Sequence, residues 1–127
     1  MSAAELYAAA RVAAERAHAP YSGLRVGAAI QAASGAVHPG VNVENASYRL
    51  TVCAEQAALA RAVAEGDRAF ARIAVARADG EPIVPCGACR QTLAEFGTGI
   101  LVVTAEAGGL VERPLTDLLP GPFGLPR

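Results

Sequence analysis

The spacing of apolar residues changes period several times along the chain, and each change marks an element. Leu6, Ala9, Ala10, Ala13 and Ala17 fall on one helical stripe, with Arg11 and Glu15 off it. Ser2 and Glu5 stand three apart at its start, the spacing of a capping box. The helix is expected to end before Ala19, because a residue that precedes proline is pushed out of helical geometry. Pro20-Tyr21-Ser22-Gly23 predicts a turn. Val26 to Ala32 then reads as a strand, with small residues where something packs closely. Ser34-Gly35 is a hairpin-type turn leading to a second strand, Val37 to Val43. Pro39 lacks the ladder donor and argues against a central place for that strand.

The period returns to helical from about Val52 to Glu65, with Gly66 as the residue beyond the C-cap. Between Cys53 and Ala64 only Glu55, Gln56 and Arg61 are strongly polar, so this helix is expected to be buried on most sides. Ile73 to Ala78 predicts a third strand, Asp79-Gly80 a turn, and Gly87 to Phe96 a helix stopped by Gly97. Ile100 to Thr104 suits an interior strand and Leu110 to Arg113 an edge strand, followed by a short helix, Thr116 to Leu119. The Pro- and Gly-rich tail from Pro120 to Arg127 cannot be regular. Strands alternating with helices give a layered α/β domain. No internal repeat, linker or glycine-rich phosphate loop interrupts it.

Composition narrows the function classes. A chain of 127 residues supports one domain with a real core, here 1–127. The formal net charge of −1 argues against a nucleic-acid surface. All 11 basic residues are Arg, which fits either a GC-rich genome or a hot habitat. An apolar content of 53% suggests that some apolar surface is hidden between subunits, although Ala-rich helices alone would also raise it. No apolar run reaches the length of a membrane span, and the N-terminus lacks the pattern of a secretory signal. Three cysteines do not suit a disulfide framework. A reducing cytoplasm is the expected setting.

The chemistry gathers in two stretches, Thr51-Val52-Cys53-Ala54-Glu55 and Pro85-Cys86-Gly87-Ala88-Cys89-Arg90. Cys86 and Cys89 are three apart, close enough to meet within one helical turn. Tetrahedral zinc needs its sulfurs about 3.8 Å from one another, and a distant Cys53 would complete a three-thiolate set. A structural zinc closes with a fourth protein ligand, whereas a catalytic zinc leaves that place to water. No fourth cysteine exists, and His18 and His38 lie outside any metal-like spacing. Both stretches sit where helices begin, and a helix N-terminus favours thiolates. Glu55 and Cys53 can face one metal only from the first helical turn, with the metal beyond the helix end. That the cysteines are buried small hydrophobes, or half of a redox pair, is the bland alternative.

Cys53-Ala54-Glu55 followed by Pro85-Cys86-x-x-Cys89 resembles the zinc-dependent cytidine deaminases, specifically the short homotetrameric kind with three cysteine ligands. The zinc deaminase signature includes a Glu that is not a ligand, and His commonly stands where Cys53 stands here. The resemblance extends over nearly the whole chain. Pro20-Tyr21-Ser22 with Val26 to Ala29 is similar to the family's first strand, Asn42 to Tyr48 to its ribose loop, and Leu118-Leu119-Pro120 with Phe123 to its C-terminal region. It implies a three-layer α/β/α sandwich with a mixed, roughly five-stranded sheet. It implies one zinc per chain on Cys53, Cys86 and Cys89, and Glu55 as the group that delivers one proton of the water to ring N3 and then helps protonate the departing ammonia.

By the same resemblance, Asn42 and Glu44 bind the ribose hydroxyls and the backbone of Ala54 reads the pyrimidine edge. Tyr48 and Phe123 are lent to neighbouring active sites in a homotetramer. Arg90 and Gln56 stand as candidates for neutralising the thiolates. Two positions depart from the family's pattern. Leu24 occupies a place usually held by an aromatic that stacks on the pyrimidine, and Gln56 one often held by Arg. These departures bear on substrate identity, so another cytosine nucleoside, including a nucleoside antibiotic, stands as the first alternative to cytidine or 2′-deoxycytidine. A nucleic-acid-editing module and a non-catalytic zinc-stabilised domain are the readings from other classes.

Overall fold

A computed structural model covers Met1–Arg127. Its elements run α1 (Ala3–Ala14), β1 (Val26–Ala32), β2 (Val37–Val41), α2 (Ala54–Ala64), β3 (Phe70–Arg77), α3 (Gly87–Ala94), β4 (Leu101–Glu106), β5 (Gly109–Pro114) and α4 (Leu115–Leu118). The five strands form one sheet in the order β2-β1-β3-β4-β5. Only β3 and β4 pair in parallel; the other neighbours are antiparallel, so the sheet is mixed. β2 is an edge strand, where the missing N–H of Pro39 removes no inner ladder bond.

The period-two alternation of the strands builds two cores on opposite faces. Ala29, Ala74, Ala76 and Val103 point to one face and meet Leu6 and Ala10 of α1. Ala28, Ile30, Ile73, Val75 and Val102 point to the other and meet Ala54, Ala58, Leu59 and Ala62 of α2, Leu93 of α3 and Leu115 of α4. The result is the three-layer α/β/α sandwich. The small side chains decide how thin the layers are. A Cβ on Gly27 would lie 2.0 Å from the Ala10 carbonyl, and one on Gly40 would lie 2.2 Å from the Ala58 amide and 2.6 Å from the Ala54 carbonyl. Both helices therefore touch the sheet backbone to backbone. Gly40 does so beside the first residue of α2.

Several boundaries differ from the sequence expectation, each for a tertiary reason. α1 stops at Ala14 because the chain beyond it is drawn to the second strand's extension: His18 donates to the Asn42 carbonyl at 3.0 Å and accepts from the Glu44 amide at 2.8 Å. The second strand ends at Val41, and Val43 pairs instead across to Val52 through two amide–carbonyl bonds of 2.9 and 3.0 Å. That pairing holds Val52 extended, so α2 starts at Ala54. β3 begins three residues early, at Phe70, because Ala32 of β1 supplies a partner across a register shift. α3 ends at Ala94 rather than Phe96, and α4 runs Leu115–Leu118 rather than Thr116–Leu119. A 3-10 turn at Tyr48–Leu50 was not expected; Asn45 opens it by accepting from the Ser47 amide at 2.8 Å.

The far end of α2 is also pinned. His38 on β2 is buried, with Nε2 2.7 Å from an Asp67 carboxylate oxygen and Nδ1 against Glu65, the C-cap of α2. Gly66 follows in the left-handed region at φ 103°, as the residue beyond a helix end requires. Gly40→Ala is expected to cost about 1–3 kcal/mol of unfolding free energy, since neither backbone group it would strike belongs to a flexible side chain. A urea midpoint equal to that of the wild type would show that α2 is free to move off the sheet.

Candidate active site

Two helices deliver the sulfurs. Cys53 is the N-cap of α2 and Cys86 the N-cap of α3, both with extended backbone, which turns each side chain back over the open helix end. Cys89 lies in the first turn of α3 and is buried. All three sulfurs lie within 4.8 Å of one another, and those of Cys86 and Cys89 are 3.5 Å apart. These spacings suit a tetrahedral ion with sulfurs about 3.8 Å from one another. Gln56 takes the third position of α2, where its side-chain oxygen accepts from the Cys53 amide at 3.4 Å. It thus caps the helix that carries the ligand.

Electrostatics without an ion are unfavourable. Burial pushes the Cys89 thiol far above the ordinary range, and Glu55 and the neighbouring cysteines add to the effect. Burial also raises Cys53, opposed by a hydrogen bond with Cys89 and assisted by the charges of Cys86 and Glu55. Cys86 alone is lowered: burial works against it, but the amides of Cys89 and Ala88 and the adjacent thiols outweigh that. Three sulfurs beside a buried acid lack a counter-charge. A soft dication that accepts thiolates supplies it, so the donor set fits zinc.

Glu55 occupies the first turn of α2 and is only 5% exposed. Burial raises its carboxyl above the usual range, partly offset by its own backbone N–H and by Cys89. A carboxyl so placed exchanges protons more readily near neutrality than a solvated one. It lines a cleft of about 250 Å³ with Leu24, Val26, Asn42, Glu44, Thr51, Cys53, Ala54, Ile83, Val84 and Cys86. Seven residues singled out from sequence thus share one hollow. Thr51, Ile83 and Val84 were missed. An apolar pair just before Pro85-Cys86 was the one available signal, and in a loop such a pair reads as ordinary filler.

The polar wall opposite the sulfurs is built from the β1–β2 end. The Asn42 side chain accepts from the Val26 amide at 2.8 Å and donates to the Leu24 carbonyl at 2.8 Å, so it fixes the entry of β1 and keeps one N–H and one lone pair unspent. Glu44 accepts from the amides of Tyr21 at 2.9 Å and Ser22 at 3.2 Å and from the Ser22 hydroxyl. The Ser22 hydroxyl leads the causes that hold its carboxyl below the usual range. Leu24, 37% exposed, offers the cleft an apolar surface.

Besides the buried Cys89, four of the named residues lie outside this cleft. Tyr48, 75% exposed, lines an adjoining recess with Tyr21, Ser22, Glu44 and Thr51, and its ring meets Tyr21 edge-on at 6.2 Å. Phe123, 73% exposed, stands on the tail, whose backbone carbonyl there accepts from Gln91 at 2.9 Å. Gln56 caps α2 as described. Arg90, expected beside the thiolates, spends its Nε on the Pro85 carbonyl and one terminal nitrogen on the Leu118 carbonyl, both at 2.8 Å. A larger hollow, about 610 Å³, lies between α1, β2 and Arg61 of α2; it is mostly apolar and holds no metal ligand or nucleophile. The chemistry belongs to the smaller cleft.

An open thiolate set with a buried, unligated acid beside it defines a metal-dependent hydrolase site. Residues 1–105 match the family model described as "Cytidine and deoxycytidylate deaminase zinc-binding region". A cytidine deaminase of Sporosarcina psychrophila is 42% identical over 125 residues, covering 97% of this chain and 92% of the relative. The crystal structure of cytidine deaminase from Burkholderia pseudomallei superposes with a TM-score of 0.90 at 46% identity, covering 97% of this chain and 100% of that one. A blasticidin-S deaminase of Bacillus cereus is more distant, at 32% identity over 103 residues, 75% of this chain and 74% of the relative. The chain belongs to the cytidine and deoxycytidylate deaminase family, and is a hydrolytic deaminase with zinc as its cofactor. No helix in it is long and apolar enough to cross a membrane.

Replacing Cys89 with Ala is expected to lower zinc after dialysis from one ion per chain to under about a tenth of that, because a thiolate pair holds the ion far less tightly than a trio. Elemental analysis reads this directly. Full retention would place the metal elsewhere.

Proposed function

We propose that the chain deaminates cytidine, and 2′-deoxycytidine as a second substrate, to the uridine nucleoside and ammonia, in pyrimidine salvage. The observation that carries this reading is Glu55: a buried carboxyl in the same helical turn as a sulfur cluster, at the inner end of a nucleoside-sized cleft. Bound to Cys53, Cys86 and Cys89, zinc supplies the Lewis acidity that readies water for attack on C4 of the pyrimidine. Glu55 accepts the proton that water gives up and passes it to N3. It then assists protonation of the amine as the C4–N4 bond breaks. Its raised affinity for protons serves both directions of transfer.

Binding follows from the opposite wall. Asn42 and Glu44 are fixed by backbone partners and present their remaining polar capacity to the ribose hydroxyls. The backbone of Ala54, at the first position of α2, lies among the amides that helix geometry leaves unpaired and reads the pyrimidine edge. Leu24 contributes apolar contact to the ring. Tyr48, Leu50, Val12, Phe123 and Leu125 are exposed large apolar side chains, which supports a homotetramer whose subunits lend Tyr48 and Phe123 to neighbouring sites. Three thiols kept for a metal suit a reducing cytoplasm.

Leu24 favours one second reading, deamination of a bulkier cytosine nucleoside such as an antibiotic, since an aliphatic wall imposes no stacking geometry on the ring. The B. cereus blasticidin-S deaminase shares ancestry with that option open. A nucleic-acid substrate is disfavoured by the net charge of −1 and by a cleft whose charged side chains are acidic.

Glu55→Ala is expected to keep its zinc and fold while cytidine turnover, followed by ultraviolet absorbance, drops by roughly a hundredfold to ten-thousandfold. Equal rates would remove Glu55 from the reaction; loss of the metal would make it a structural support. Running blasticidin S beside cytidine in the same assay separates the two substrate readings. Gel filtration is expected to give about four times the 12.9 kDa chain mass, and an active monomer would refute shared sites.

A further inference from the structure

α3 carries two separate stripes. Cys86, Cys89 and Leu93 face inward, the first two to the sulfur cluster and the third to the core. Arg90, Gln91 and Glu95 face the C-terminal segment: Arg90 donates to the Leu118 carbonyl, Gln91 to the Phe123 carbonyl at 2.9 Å, and Glu95 takes Arg127 at 3.3 Å. Arg90 is the one residue that serves both sides. Its amide donates to the Cys86 carbonyl at 3.0 Å and its Nε to the Pro85 carbonyl at 2.8 Å, so it grips the peptide units on either side of the Cys86 Cα. Pro85 is fully buried and has no N–H of its own, so its carbonyl is the one backbone hydrogen-bonding group that residue offers.

We propose that Arg90 is a positioning residue for the metal site: its planar guanidinium bridges the Pro85 and Leu118 carbonyls, fixes the direction of the Cys86 sulfur, and ties that direction to the end of α4. A guanidinium can hold two carbonyls from separate segments with donors in a fixed fork, whereas an ammonium acts as a single point. The Leu118 carbonyl belongs to the last turn of α4 and has no helical partner, so the same contact caps α4. This differs from charge neutralisation of the thiolates, which would need only a cation nearby. It rests on Cys53, Cys86 and Cys89 holding zinc.

The test follows zinc release from loaded protein to a chromogenic chelator, with circular dichroism to check the fold. Arg90→Met and Arg90→Lys are both expected to release zinc about tenfold faster than wild type, as loss of an outer partner of a metal ligand typically does. Gln91→Ala, which removes only a tail contact, is expected to release zinc at the wild-type rate. Release from Arg90→Lys at the wild-type rate would mean that charge alone matters, and would overturn the proposal; the same result for Arg90→Met would leave Arg90 no role. A wild-type chain that binds no zinc would overturn the reading of the site itself, and this proposal with it.

Discussion

Two helix N-termini must converge on one point for this molecule to work, and backbone contact between helix and sheet sets that convergence. α2 cannot settle against β2 at ordinary side-chain distance, because Gly40 lets it come closer than any Cβ allows. The same is true of α1 at Gly27 on the opposite face. With the layers this thin, the start of α2 is fixed from three directions: Gly40 below it, the Val43–Val52 pairing before it, and His38 with Glu65 and Asp67 at its far end. α3 is placed by Leu93 in the shared core and by Arg90 outside it. The sulfurs meet because these restraints agree.

Electrostatic consequences follow from that geometry. Each helix N-terminus adds partial positive charge where negative groups collect, yet Cys89 and Glu55 remain shifted towards their neutral forms by burial. The site therefore has a deficit of positive charge that a dication repairs. Arg90 spends its Nε and one terminal nitrogen on carbonyls. Gln56 is neutral and occupied with the Cys53 amide. The two helix ends and the metal stabilise the thiolates, and Glu55 is the buried carboxyl of the cleft that stands outside the sulfur cluster.

Much of this was legible in the residues. The capping box at Ser2 and Glu5 is made as its spacing implies, with bonds of 3.1 Å in both directions. β1, β3 and β4 stood out as runs of small and apolar residues, and the three cysteines with their acid stood out because nothing else in the chain concentrates so much reactivity. What stayed hidden depends on backbone partners. The overlong first helix, the early end of the second strand and the late start of α2 share one cause, the pairing among His18, Asn42, Val43, Glu44 and Val52, which leaves no mark in hydrophobic periodicity. The partners of Arg90 stayed hidden for the same reason: a carbonyl is present at every residue, so sequence cannot say which ones an arginine has found. Ile83 and Val84 were passed over because loop hydrophobes gain meaning only once a cleft encloses them.

The alanine-rich composition, ambiguous in sequence, acquires a structural use. Ala29, Ala74 and Ala76 on one face of the sheet, and Ala54, Ala58 and Ala62 on the helix covering the other, bury area without thickness. Larger side chains at Ala54, Ala58 or Ala62 would lift α2 from the sheet and carry Cys53 away from Cys86. Thin layers exact a compensating demand elsewhere, since a small domain with shallow cores leaves large apolar groups such as Tyr48 and Phe123 at its surface. Tyr48 stands on the recess adjoining the cleft, and Phe123 on a segment fastened to the helix that carries two of the sulfurs. The compactness that brings the three sulfurs together and the exposure of large apolar groups are two results of the same choice of small residues.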